Sequence, residues 1–425
     1  MGAIYVDPTG EDTDDGTASQ PVATIVRALA IATGQPGRTV YLHGGIHVIE
    51  DRLVLGPEHA GVALIACPGQ APMLQRTPPD DTPLLTLSHT RDVTVMGLSF
   101  GATGPDGTAM LLDDAHDCLI AQNRSEAAGG GILLRHSQRN ILQRNTILNA
   151  ARTGIELQDD SDGNGIDSNV IQGAGGPETH GGGIFLHGAS RNLIIRNRVS
   201  DTAGMGIGIV NWDETTINLG NAVVGNAVLR TNLTATDSGA IYLLGRSQLE
   251  TATRVTDNWI DLTGGPDRHS VGIYLDDSIS GVRVSGNVVR NAGSDAVQIH
   301  GGSHNVVTHN VLDLGDGHAS AVLFQAAPAD TDPSNRQEGN VVVENIILSR
   351  GPQAKLFVWL DGGQPVVRGN MLFNESGASM AGAPPVQDAA PVYADPGFAD
   401  AALGDYRATH APADFPPVIA SPNRP

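Results

Sequence analysis

Lysine is almost missing from this chain of 425 residues. Lys355 is the only one, and arginine makes up the rest of the 25 basic residues. Against 46 acidic residues this leaves a formal net charge of −21. Nucleic-acid binding needs clustered positive charge, so nucleic acid is not an expected partner. Aromatic residues are also scarce, at 4%. No run of 18 apolar residues occurs, so no membrane span is expected. The opening stretch MGAIYVDPTG lacks a basic segment followed by an apolar core, so no signal peptide is visible. Two cysteines, Cys67 and Cys118, do not make a disulfide scaffold, and their pairing is left open.

What the chain does contain is glycine and proline, 53 and 25 of them, with only 17% charged residues. Such a composition suits many short strands joined by turns. A repeat is visible. LIAQN ends at Asn123, ILQRN at Asn145, LIIRN at Asn197, RVTDN at Asn258, RVSGN at Asn287 and VVVEN at Asn345. Asn169, Asn226, Asn310 and Asn370 complete the series, in steps of 22 to 35 residues. Upstream of most lies a second short run, such as GIEL, GIFL, AIYL or GIYL. Two or three β-runs per unit of this length describe one coil of a right-handed parallel β-helix. The expected fold is therefore an all-β parallel helix of about ten or more coils. The asparagines are expected to take left-handed turn geometry themselves and to stack as a structural amide ladder. Pro21 to Gly34 has helical spacing and would cap the first coil. Residues 1–375 are expected as one domain, with 1–40 the strand and cap helix and 41–375 the coils. Residues 376–425 would form a tail or C-terminal cap.

Alternation within strands then places side chains. In GIYLD, Ile273 and Leu275 face the core while Tyr274 and Asp276 face outward. Aligned coils give an outward column of Gln158, His187, Val210, Leu244, Asp276, His300 and Gln325. The column at Tyr274 reads Glu156, Phe185, Gly208, Tyr242, Tyr274, Gln298 and Leu323. A third column, before the strands, reads His180, Ala203, Asp237, His269, Gly293 and His318. With coils about 4.8 Å apart, Asp237, His269, Asp276, Asp277 and His300 share one stretch of surface. Tyr242 and Tyr274 are expected stacked and exposed beside them. Trp212, of VNWDETT, is expected on a loop overhanging this face, and takes the Asp276 position if its coil shifts by two residues. Aromatic faces and carboxylates are what a sugar site needs. The plain alternative is a solvated sheet with turn aspartates. Asp160, Asp162 and Asn164 have the 1, 3, 5 spacing of a calcium loop but lack its glutamate at position 12, so any Ca²⁺ there would be structural. Glu11 to Gly16 is similar in flavour. No cofactor is otherwise required.

The stretches IYVDPTGEDTDDGTASQPVATIVRALA, TDSGAIYLLGR and GIYLDDSISGVRVSGNVVRNAG resemble the pectate-lyase-like β-helix superfamily. Within it they are most similar to β-helical glycoside hydrolases of the α-L-fucosidase/xylanase type. The resemblance implies a polysaccharide or oligosaccharide substrate and an extracellular or periplasmic location. It also implies catalytic carboxylates at Asp237 and at Asp276 or Asp277. His269, His300, Tyr242, Tyr274, Trp212, Arg246, His187 and Gln298 are the candidate substrate-binding residues. Protonated His300 would keep Asp276 ionised as base or nucleophile, leaving Asp237 as acid. Two alternatives are a polysaccharide lyase or C5-epimerase acting on a uronate, and a non-catalytic glycan-binding β-helix. Asp276→Asn is expected to lower turnover well over ~100-fold. An exposed aspartate contributes little to folding, so melting is expected to be nearly unchanged.

Overall fold

Each short apolar run that ends in an asparagine is a strand, and the residue before the asparagine turns the corner. Gln122, Arg144, Ser168 and Arg196 all have φ between 53° and 56° in the computed structural model. Gly225, Asp257, Gly286 and His309 follow with φ of 61°, 58°, 70° and 57°. The left-handed position thus belongs to the residue preceding the asparagine, which corrects the sequence expectation. The asparagine itself is left with its amide pointing along the stack. The residues described are 2–33, 37–176, 181–247, 249–264, 268–316, 320–327, 337–352, 355–380 and 386–408. His180 and His318, placed in a column above, lie outside them, as do Gly34 and much of 376–425.

The chain forms two compact units: residues 1–176 with 183–193, and residues 177–182 with 194–425. In the first, Ile4–Val6 pairs in parallel with Thr39–Leu42, which pairs with Ala63–Ala66, and the sheet continues coil by coil. The helix Ile25–Ala32 buries Ile25, Ala28, Leu29 and Ala32. Thr24 caps it, its hydroxyl oxygen accepting the Arg27 N–H at 3.1 Å. Asp12 in turn accepts the Thr24 N–H at 2.9 Å and its O–H at 2.7 Å. The acidic run Glu11–Gly16 thus buttresses this cap. Cys67 and Cys118 are buried free thiols.

Both units are coils that give one strand to each of three parallel sheets. The fold is a right-handed parallel β-helix. Val and Ile fill its interior: Val255, Ile273, Val284, Val297 and Ile347 have no exposed surface. At the corners, buried amides replace apolar packing. In the first unit Asn145 Oδ1 accepts the Asn123 N–H at 3.0 Å, and Asn169 Oδ1 accepts the Asn145 N–H at 2.9 Å. In the second unit the same bond links Asn197 to Asn226, Asn258, Asn287, Asn310, Asn345 and Asn370 in turn, at 2.8 to 3.0 Å. Asp388 ends that ladder by accepting the Asn370 N–H at 2.8 Å. A second ladder, not foreseen, runs from Asn140 to Asn164 to Asn192 at 2.8 Å each.

Beyond the last coils, Phe398–Asp400 and Asp405–Ala408 form an antiparallel hairpin. Tyr406 is fully buried there, 5.7 Å from Trp259 by ring centroids, and donates its O–H to Asp313.

Removing a ladder amide leaves several buried backbone and amide groups without partners. Asn258→Ala is expected to destabilise the second unit by about 3 kcal/mol, read from denaturant melts. Asp257→Gly, at the left-handed corner just before it, is expected to be neutral or stabilising, because glycine adopts that φ without strain.

Candidate functional site

Parallel pairing fixes which side chains meet. The strands Ile207–Asn211, Ser238–Gly245, Ser270–Asp276 and Asp295–His300 lie side by side in one sheet of the second unit. Their register puts Tyr242 opposite Tyr274, Tyr274 opposite Gln298, and Leu244 opposite Asp276. Val210 faces Leu244, so this coil is not shifted and Trp212 sits past the strand end. Every residue of Ser238–Gly245 and Ser270–Asp276 is buried. The outward-facing side chains of these strands are therefore as buried as the inward-facing ones. What remains is a cavity of ≈ 390 Å³. It is lined by Trp212, Thr236, Asp237, Ser238, Tyr242, Leu244, Arg246, Asp276, Asp277 and His300, with Gly204, Met205 and Ala235.

Asp276 is the centre of the cluster and is only 5% exposed. It receives the Tyr242 O–H at 2.5 Å, the His300 ring at 2.6 Å through Nδ1, and the Asp277 backbone N–H at 2.8 Å. Burial pulls the pKa of His300 down, but the hydrogen bond and charge of Asp276 outweigh it, and the net direction is up. Among the described residues the other ring nitrogen, Nε2, has no hydrogen-bond partner, and it is not sealed from the cavity that His300 lines.

A second histidine–carboxylate pair stands beside the first. His269 Nδ1 lies 3.0 Å from Asp237 Oδ1, and its Nε2 lies 2.7 Å from Gln298 Oε1. Asp237 can only accept here, so His269 Nδ1 carries the proton it donates. Its pKa is raised, first by the hydrogen bond to Asp237. The same bond holds the Asp237 carboxyl below the usual carboxylate range. Tyr274 donates to Asp237 Oδ1 at 3.3 Å. Burial, followed by the Asp276 charge, pushes the hydroxyls of Tyr242 and Tyr274 far above the ordinary tyrosine value.

Several expectations change. Tyr242 and Tyr274 are not an exposed stack: they are 7% and 2% exposed and meet edge to face, at 5.3 Å and 74°. Their hydroxyls serve the carboxylates. Gln298 has no exposed surface, so it orients His269 and does not touch a ligand. Asp237, held ionised, is a poor proton donor, contrary to its expected role as acid. Asp277 turns the chain with φ of 41° and binds the Arg246 guanidinium. Asp213, on the Trp212 loop, accepts the N–H groups of Thr215 and Thr216 at Oδ1 and the Thr216 hydroxyl at Oδ2. His187 belongs to the first unit, at the end of Ile184–His187, whereas the cluster is built by the second unit alone. Asp160, Asp162 and Asn164 do not form a calcium loop. Asn164 Oδ1 is a rung of the second amide ladder, and Asp162 accepts the Ser190 N–H and the Arg191 guanidinium, both at 2.6 Å. Among the described residues, the one group of three or more His, Cys, Asp and Glu whose ligand atoms converge is Asp276, Asp277 and His300.

Sequence reasoning missed Ser238 and Thr236 in the cavity wall and Asp295 behind it. The first two flank Asp237, so their position was readable. Asp295 is buried, with its pKa raised by that burial, and its charge acts on His269. No spacing signal marks it.

Residues 79–242 are similar to the family described as "Periplasmic copper-binding protein (NosD)". No curated protein matches the chain in sequence. Among solved structures, XylC in complex with xylose has a TM-score of 0.56 at 11% identity, over 93% of this chain and 87% of its own. The Dettilon tailspike protein gp208 has 0.51 at 15%, over 95% and 70%. The surface protein and adhesin PfbA of Streptococcus pneumoniae has 0.52 at 12%, over 77% and 93%. The chain shares the parallel β-helix fold of these structures. No helix among the described residues is long and apolar enough to cross a membrane.

The burial of Asp276 revises the stability expectation. Asp276→Asn puts an amide N–H₂ against donors from Tyr242 and His300. It is expected to lower folding stability by about 1–3 kcal/mol, measured by thermal or urea melts, in addition to its effect on turnover.

Proposed function

We propose that this chain is a glycoside hydrolase working in the Asp237–Asp276 cavity. The observation that carries the reading is the pair of carboxylates, each bound to its own histidine, lining one cavity together with Trp212. Hydrolysis of a glycoside needs a proton for the leaving oxygen and a base or nucleophile at the sugar carbon. In this reading His300 is the acid. Asp276 holds its Nδ1 and favours the imidazolium, and Nε2 gives its proton to the leaving oxygen as the C–O bond breaks. Asp237 is the base, ionised because of His269, and takes a proton from the attacking water. Solvent returns that proton to His300. The arrangement also suits a protein placed outside the cytoplasm, where polymeric glycans are met.

The uronate lyase or epimerase reading needs a base for the C5 proton and a free cation for the substrate carboxylate. Tyr242 and Tyr274 each give their O–H to a carboxylate, with burial pushing their pKa values up, and Arg246 is already paired, so that reading needs a histidine base and an added cation. For a non-catalytic glycan binder, the paired histidines would have no proton to move.

Release of reducing ends from a panel of glycans tests the proposal. Asp237→Asn and His300→Gln are each expected to lower turnover ~100-fold or more. The pKa of His300 is raised, so its acid form persists above the ordinary value of about 6.5. Turnover should therefore fall as pH rises through a midpoint above that value, and that limb should be lost in His300→Gln. Absorbance growth from pectate or alginate, with no reducing ends from other glycans, would sink the hydrolase reading.

A further inference from the structure

Among the described residues Arg246 is the one arginine that lines the cavity, and three of its five N–H groups donate to protein. Its Nε donates to Asp277 Oδ2 at 2.8 Å, and Nη2 donates to the same oxygen. Nη1 donates to the Trp212 carbonyl at 2.9 Å. The three residues follow three successive strands of one sheet, Ile207–Asn211, Ser238–Gly245 and Ser270–Asp276. A single guanidinium therefore ties three neighbouring coil corners into one wall. Asp277 is well placed for the task, with a side chain only 13% exposed and its backbone turned at φ 41°.

The charges of the cluster are matched pair by pair. Arg246 faces Asp277, His269 faces Asp237 and His300 faces Asp276. No lysine lines the cavity, and the chain as a whole carries −21. An incoming carboxylate would have to compete with a protein carboxylate for each of these positive groups and would meet repulsion at long range. Trp212, 39% exposed with its carbonyl pinned by Arg246, instead offers an aromatic surface at the rim.

We infer that the cavity selects uncharged glycans and rejects uronates, with Arg246 serving as a strut and not as a carboxylate receptor. The inference rests on the glycan reading above and names its substrate class. It carries an unusual consequence: neutralising Asp277 should create the missing receptor, because Arg246 is then released toward the cavity.

Calorimetric titration of the intact chain with thio-linked oligosaccharides, which resist hydrolysis, tests this. The ligands are neutral xylo- and gluco-oligosaccharides, and oligogalacturonates and oligomannuronates of the same length, at low salt. The unsubstituted chain should bind at least one neutral series and neither uronate series. Asp277→Asn should raise uronate affinity by about tenfold or more, with the gain lost as salt increases. A melting curve checks that the variant is folded, and Arg246→Ala added to it should abolish the gain. Uronate binding equal to or tighter than neutral binding before Asp277 is changed would overturn the inference while leaving the glycan reading intact. So would a folded Asp277→Asn variant with no gain. Failure of every glycan of both classes to bind would remove the glycan reading itself and this inference with it.

Discussion

The hydrogen bond from one corner backbone to the asparagine carbonyl of the next coil is the constraint on which the rest depends. A coil corner is buried and must bend, so its backbone N–H cannot be satisfied by the strand ladder alone. A left-handed residue makes the bend, and the asparagine after it supplies the acceptor from the coil above. Each amide also donates back, as Asn258 Nδ2 does to the Val223 carbonyl at 2.9 Å. The ladder pins the register at every coil. A slip by one residue would turn every side chain to the opposite face.

Register is what assembles the cavity. Asp237, Tyr242, Arg246, Asp276 and His300 come from three coils and are separated by up to 63 positions in sequence. They meet because parallel strands hold equivalent positions about 5 Å apart. A buried carboxylate such as Asp276 is costly unless its lone pairs are filled. Tyr242, His300 and the Asp277 N–H fill them. The same donors set the chemistry. The need to bury charge without penalty produces the histidine–carboxylate pairs that make proton transfer feasible.

The face of each strand residue was legible in the sequence because alternation and the GIYL-type runs carry it. The columns containing Tyr242, Tyr274 and Gln298, and Leu244 and Asp276, match the strand register. Burial was not legible. Alternation says that Tyr274 points out of the core, but it carries nothing about what packs over that face, and outward here does not mean exposed. Hence the tyrosines read as a sugar platform are instead hydroxyl donors beneath it. Asn164 was misread for a related reason. Its spacing to Asp160 and Asp162 fits a cation loop, and a single chain does not reveal that its partner is Asn140, one coil away. Proton ownership was equally hidden: Asp237 looks like an acid until His269 is seen to be held on both sides, by Asp237 and Gln298.

The question raised by two adjacent aspartates has a physical answer in how a strand ends. Asp276 is the last residue of its strand and shares the strand's outward direction, so its carboxylate enters the cluster. Asp277 follows at a left-handed φ, which rotates its side chain away from that direction and toward Arg246. Neighbours in sequence therefore face different partners, and their charges are neutralised separately. The two carboxylates still come close to each other and to His300, but each has its own cationic partner. The strand end thus lets two negative charges sit side by side, one free to serve a histidine and the other tied into the wall.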